Sequence, residues 1–356
     1  MKIIQISPYF PPHVGGVEYH VKELAEGLGR RGHLVSVASS CGKQSRNFGF
    51  VKVPSLDLFY TPVPLRIPRL QADIYHSHIP SPLFAYLLRG ARPHVVTYHN
   101  DVVIPGSVNG FAVPGMLSGS LERISSKMVE PVLEGAQAII ATTKSYAQTS
   151  PYLRPHLDRV KIVPNAVNVS IYPQVEEKKS YVLYAGRMLN YKGVEDLLYA
   201  MRDVQQSAPD LELILVGEGC DRPQLEQTAA SIGVHARFTG RLERSMFIDT
   251  ISRAQVLVLP SRSRLEAFGI VLLEAMACHT PVLAFDTPGV NEVARCGGMV
   301  FSSREELTDR ILDLHENELL RMHLGERGRR AVEEKYSWDC ALDKMEAVYR
   351  DAAQGS

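Results

Sequence analysis

Short apolar runs alternate with segments of helical period along the whole chain. The strand-like runs are 2-KIIQIS-7, 33-HLVSVAS-39, 93-PHVVTY-98 and 136-AQAIIAT-142, then 181-YVLYAG-186, 212-ELILVG-217, 255-QVLVLP-260 and 281-PVLAF-285. They are short, rich in β-branched residues and bounded by turn formers, as strands buried in a parallel sheet are. Between them the period lengthens. Val17, Val21, Leu24 and Leu28 fall on one helical face, and 221–232 and the tail after Trp338 are similar in kind. Alternating strand and helix predicts open, doubly wound α/β sheets, and two runs of it predict two domains. The break falls in 164-PNAVNVSIYPQVEEKKS-180, which is rich in Pro, Asn, Ser and charge and has no sustained period. Rossmann-like domains are therefore expected over 1–166 and 167–337, with a last helix over 339–353. Residues 100–130 are the least regular part. There 104-IPGSVNGFAVPGMLSGS-120 reads as a loop, either a mobile one over a site or a plain connection.

The bulk numbers narrow the class. With 356 residues, 45% apolar and 22% charged, the chain suits a soluble globular protein of two domains. It has no apolar run of about 18 residues, and 1-MKIIQIS-7 lacks the basic flank and long apolar core of a signal peptide. Cys41, Cys220, Cys278, Cys296 and Cys340 are scattered, with no Cys-x-x-Cys. That set points to a reducing cytoplasm and no structural zinc. The net charge of zero hides a split. Residues 1–170 hold 17 Lys and Arg against 10 Asp and Glu; the remainder holds 22 against 29. A basic half suits an anionic surface or substrate, although solvated helix faces give the same count. No nucleic-acid partner is expected.

Two stretches carry phosphate chemistry. In 8-PYFPPHVGGVEYHVKEL-24 a strand ends, and Gly15 and Gly16 open a helix whose first N–H groups can hold an anion. This is not G-x-G-x-x-G, so a hydride-transfer enzyme is disfavoured. In 184-YAGRMLNYKGVEDLL-198 a strand ends at Gly186, and Arg187 and Lys192 follow. Cations at the carboxyl end of a strand face the ligand crevice of an α/β sheet. A guanidinium fork and an ammonium both suit a diphosphate. His99 lies just past strand 93–98 and faces the same kind of crevice. Asp101 could orient His99, meet a ligand or cap a helix. His76 and His78, in 73-DIYHSH-78, are expected to follow a strand on one side of it. They are read as packing near the crevice, with metal binding as the second reading.

The ordered set of Gly15-Gly16 with Glu18, 97-TYHND-101, 163-VPNAV-167, Arg187…Lys192, 216-VGEG-219, 259-LPS-261, 266-EAFGIVLLE-274 and 288-PGVNE-292 spans nearly the whole chain. It resembles the retaining glycosyltransferases of the two-domain type B fold with an E-x7-E signature, the family 4-like or group 1 glycosyl transferases. The resemblance implies two Rossmann-like domains facing a central cleft, with the helix in 338–356 returning to the first. It implies a nucleotide-sugar donor carrying UDP, GDP or ADP. The acceptor would be a sugar, a lipid-linked molecule or a polysaccharide, and an anionic membrane surface is a further candidate partner.

By the same resemblance Glu266 accepts hydrogen bonds from the donor sugar. Backbone N–H groups of Ala267, Phe268, Gly269, Ile270 and Val271 point at the sugar and diphosphate, and Glu274 grips the ribose hydroxyls. Ile270 through Leu273 would be the buried side of the helix. Leu242 meets the base through its backbone. Arg187 and Lys192 neutralise the departing diphosphate with the Gly16 N–H, and His99 stands against the donor sugar. Asp101 and Asn165 are the acceptor-side candidates. The chain holds no Asp-x-Asp, so metal-independent catalysis without a cofactor is expected. A sugar-nucleotide epimerase and a catalytically silent nucleotide-binding subunit are the alternatives from other classes. Some positions depart from the pattern. Ala267 replaces a usual Gly, Arg262 and Arg264 precede the first acid, His279 stands where Gly is frequent, and Cys220-Asp221 replace Gly-Pro. These bear on donor choice more than on reaction class.

Overall fold

The computed structural model describes residues 1–13, 15–58, 61–66, 68, 71–79, 82–102, 107–108, 111–112, 115–175 and 177–355. The chain divides into two compact units. Met1–Ile104, Pro114–Asn165 and Trp338–Ser356 form one; Pro105–Val113 and Ala166–Ser337 form the other.

The first unit is built on seven parallel strands: β1 (Lys2–Ile6), β2 (Leu34–Ser39), β3 (Phe48–Lys52), β4 (Ile74–Ile79), β5 (His94–Tyr98), β6 (Ala138–Ala141) and β7 (Val160–Ile162). Their order is β7-β6-β5-β4-β1-β2-β3, so the winding reverses between β1 and β4. β5 is buried along its whole length, as a central strand covered on both faces must be. His76 and His78 do not follow a strand, as expected above; they are part of β4 itself. Polar residues in the middle of a core strand masked its period.

The Gly16–Arg30 helix buries Val21, Leu24 and Leu28, but also Glu18 and His20. The Trp338–Gln354 helix buries Trp338, Leu342, Met345 and Tyr349 on one face. That face packs on the first unit. A Cβ at Gly27 would come within 2.6 Å of Leu342. The Tyr349 hydroxyl lies 2.7 Å from His76 Nδ1, and Arg31 bonds Asp343 at 2.6 Å.

The second unit has six parallel strands: β8 (Tyr181–Ala185), β9 (Glu212–Val216), β10 (Ala236–Gly240), β11 (Val256–Leu259), β12 (Val282–Phe285) and β13 (Gly298–Phe301). Their order, β10-β9-β8-β11-β12-β13, is that of a dinucleotide-type fold with its switch point between β8 and β11. Side chains of β8 alternate between two cores. Tyr181, Leu183 and Ala185 enter one, and Val182 and Tyr184 the other. Each fully buried leucine or valine here contributes about 2 kcal/mol.

Within 104–120, Ser107–Val108 pairs with Phe111–Ala112, and a helix starts at Gly115 and runs to Gly135. The rest of that segment lies outside the described residues, and with it the expectation of a loop over a site. Among the described residues no helix is long and apolar enough to cross a membrane.

Candidate functional site

In the second unit the loops leaving β8 and β11 sit side by side at the switch point. Their contact is as close as backbone allows. Gly193, at φ +69°, would place a Cβ 2.4 Å from the Pro260 carbonyl oxygen. No L side chain fits there without moving backbone. The loops after β8 and β9 are joined as well. Gly186 N–H donates to the Val216 carbonyl at 3.0 Å, and Met188 N–H to the Glu218 carbonyl at 2.9 Å.

Lys192 and Glu266 form an ion pair. Their side chains keep only 14% and 16% of their exposure. The pair is therefore largely desolvated, and each charge depends on the other. Arg187 is exposed, and its guanidinium donates to the Tyr191 hydroxyl at 3.3 Å.

After Glu266 the chain buries Ala267 and Phe268. Phe268 stands edge-on to Tyr336. Gly269 then takes the left-handed conformation, φ +77°, and starts the Ile270–Ala277 helix with no side-chain cap. The first-turn N–H groups of an uncapped helix are donors available to an anion or hydroxyl. Leu272 and Leu273 are fully buried. Ile270 and Val271 are half-buried, so the buried side of this helix is narrower than expected.

Glu274 is held by residues that the sequence did not single out. The Tyr172 hydroxyl donates to its Oε1 at 2.9 Å, and the Arg244 guanidinium donates to the same oxygen at 2.7 Å. Arg244 also donates to the Tyr172 hydroxyl. Both contacts use Oε1, which leaves Oε2 to meet a ligand. Leu242 is half-buried in the turn after β10 and packs on the core. Arg262 pairs with Asp196 at 3.1 Å and lies over the Phe285 ring, which accounts for one of the two unusual arginines. His279 takes a positive φ of 53°, the conformation that glycine would adopt freely.

The first unit gathers histidines. His99 follows β5, and its N–H donates to the Ile79 carbonyl at 3.0 Å. Its Nε2 lies 3.1 Å from His78 Nδ1. His20 packs edge-on against both rings, at 5.1 Å from His99 and 5.8 Å from His78. Burial drives all these rings toward the neutral form. It lowers His20 to about 4, while the neighbouring Asn165 side chain acts weakly the other way. Burial, then neighbouring histidines, take His76, His78 and His99 well below the usual range. Candidate ligand atoms of His20, His78 and His99 lie within 4.8 Å of one another. A cation drawn here would therefore meet His20 and His99 with His78, not the His76–His78 pair considered from the sequence. Asn165 is buried beside His20 in this unit.

Asp101, two residues on, lies among hydroxyl groups. Ser150 Oγ donates to its carboxylate at 2.5 Å and the Tyr98 hydroxyl at 3.2 Å. Its own N–H donates to the Tyr146 hydroxyl at 2.6 Å. It is buried, with 3% exposure.

Gly15 precedes the Gly16–Arg30 helix with extended backbone, φ −175°. The Glu18 carboxylate folds over it: a Cβ on Gly15 would lie 2.2 Å from Glu18 Oε2. That carboxylate is bonded to His13 Nδ1 at 2.7 Å. An anion approaching this helix start would first meet Glu18.

Comparison with known proteins agrees with this geometry. Residues 172–331 match the model of the glycosyl transferases group 1, and residues 14–171 that of glycosyltransferase family 4. The chain belongs to this glycosyltransferase family and is a transferase enzyme. It is 28% identical to the phosphatidyl-myo-inositol mannosyltransferase of Mycobacterium tuberculosis, over 99% of this chain and 97% of the other. The fold is that of the type B glycosyltransferases. Sucrose-phosphate synthase from Thermosynechococcus elongatus superposes with a TM-score of 0.80 at 22% identity, each chain covered in full. Anabaena HepE in complex with UDP superposes at 0.78 and 16% identity, over 98% of this chain and all of the other.

Proposed function

We propose that this glycosyltransferase is a retaining enzyme. It moves a sugar from a UDP-, GDP- or ADP-sugar to an acceptor hydroxyl, without a metal ion, in the synthesis of a glycolipid, polysaccharide or other glycoconjugate. The observation that carries the reading is the clustering of the Lys192–Glu266 pair at the switch point of the second unit. Lys192 has three N–H donors, enough to hold Glu266 and a diphosphate oxygen together. Arg187 adds a second cation, aimed at charge that grows as the sugar–phosphate bond breaks. Glu266 accepts from sugar hydroxyls, the N–H groups at the start of the Ile270–Ala277 helix hold the diphosphate, and Glu274 Oε2 accepts from ribose. His99 hydrogen-bonds a substrate oxygen.

The bond from the anomeric carbon to the phosphate oxygen breaks while the acceptor oxygen attacks the same face. The departing phosphate oxygen takes the acceptor's proton. Metal independence is supported by the fixed cations and by the lack of an Asp-x-Asp sequence. A lipid-linked acceptor is supported by the mycobacterial relative's name and by the positive balance of residues 1–170. One assay tests the whole reading: labelled UDP-, GDP- and ADP-sugars are offered in EDTA with lipid extracts and with soluble sugars. The expected result is transfer from one donor, with label in the organic phase and donor anomeric configuration kept in the product. Inverted product, or transfer that needs added metal, would contradict the mechanism. Label only in water-soluble product would contradict the lipid acceptor.

A further inference from the structure

His78 and His99 share one hydrogen bond, and which ring supplies the proton decides what His99 can do. Both rings are neutral, so each has one N–H and one lone pair. The bond joins His78 Nδ1 and His99 Nε2. If His99 donates, His78 must carry its own proton on Nε2. That atom is enclosed and has no hydrogen-bond partner. If His78 donates, its Nε2 is only a bare lone pair in the same enclosure. An enclosed N–H without an acceptor is rare and costs about 1–3 kcal/mol, whereas an under-used acceptor is better tolerated. The second arrangement is therefore the stable one. His20 does not relieve the first: its ring stands edge-on, and neither of its nitrogens bonds His78. In the stable arrangement the proton of His99 sits on Nδ1. His99 keeps 7% of its surface, against none for His78, and Nδ1 is not among the enclosed unpartnered atoms.

We propose that His78 is a positioning residue that holds His99 as the Nδ1–H tautomer, so that His99 meets a substrate oxygen as a hydrogen-bond donor and not as a base. This rests on the reading that His99 touches substrate. It assigns a reason to one enclosed histidine of β4: His78 sets the proton on His99. A histidine so held cannot take the acceptor's proton, which leaves that proton to the departing phosphate.

The test is a long-range proton–nitrogen correlation spectrum of the full chain labelled with 15N-histidine in EDTA. His99 is assigned by its loss in His99→Gln. The expected spectrum shows His99 protonated at Nδ1 and bare at Nε2, unchanged between pH 6 and 8. Removing the donor in His78→Leu should mix the two tautomers and lower kcat about tenfold, the worth of one neutral hydrogen bond, with donor KM little changed. His78→Asn, whose amide can donate to Nε2, should recover most of the loss. A His99 proton on Nε2 in the wild type would overturn the proposal. So would zinc binding at one equivalent that shifts His20, His78 and His99 together. If the wild type transfers no sugar, the functional reading fails, while the spectrum still decides the tautomer without any variant.

Discussion

Lys192→Ala is expected to lower turnover about a thousandfold and to destabilise the second unit by about 3 kcal/mol. The first figure is the effect of removing one preorganised donor from developing charge. The second follows from leaving the mostly buried Glu266 carboxylate without its partner, at the low end for such pairs because both groups keep some contact with solvent. The two losses separate in a double variant. Lys192→Ala combined with Glu266→Gln removes the unpaired charge, so urea unfolding followed by circular dichroism should return close to the wild type. Turnover should stay at the level of the single variant or below it. Turnover within tenfold of wild type for Lys192→Ala would mean that the ion pair is only structural.

Acid should loosen the first unit well before carboxylates take part. Five buried histidines lie in it: His20, His76, His78, His94 and His99. Each is lowered by burial, His20 and His94 to about 4. The unfolded chain takes up these protons near pH 6.5, before the folded one does. Stability is therefore complete above pH 6.5 and declines as pH falls toward the folded values. At pH 5.5 a histidine lowered to about 4 has cost about 1.4 kcal/mol, so His20 and His94 alone remove about 3 kcal/mol. The only tryptophan, Trp338, lies 5.6 Å from His20 in this unit and reports its unfolding. The urea midpoint followed by tryptophan fluorescence should drop steeply between pH 7 and 5.5. A flat midpoint over that range would mean that the rings are hydrated or charged in the folded state.

The alternation of strands and helices was legible in the hydrophobic pattern because strands such as β8 and β11 are continuous apolar runs. Strands that broke the pattern were lost. β3 reads FGFVK, with a glycine inside, β4 reads IYHSHI, and β7 has three residues. β4 is buried all the same, by partners distant in sequence that a local window does not see. The same holds at the site. Arg187, Lys192 and Glu266 stood out because they follow strands, and all three, with Glu274 in the Ile270–Ala277 helix, match a known order of motifs. Tyr172 and Arg244 did not, since their link to Glu274 spans 102 and 30 residues. The hydroxyls that Asp101 meets, on Tyr98 and Ser150, were equally out of view, since Ser150 lies 49 residues away.

The central claim is that the second unit holds a nucleoside diphosphate through Arg187, Lys192 and Glu274. Calorimetric titration of the full chain with UDP, GDP and ADP in EDTA tests it most directly. One diphosphate is expected to bind well above the others. Glu274→Ala should weaken it about a hundredfold, the worth of roughly 3 kcal/mol of charge-assisted hydrogen bonding to ribose. Arg187→Ala should weaken it as well without unfolding the protein, since that side chain is exposed. Failure of a folded sample to bind any of the three, or a Glu274→Ala variant that binds as tightly as the wild type, would contradict the account.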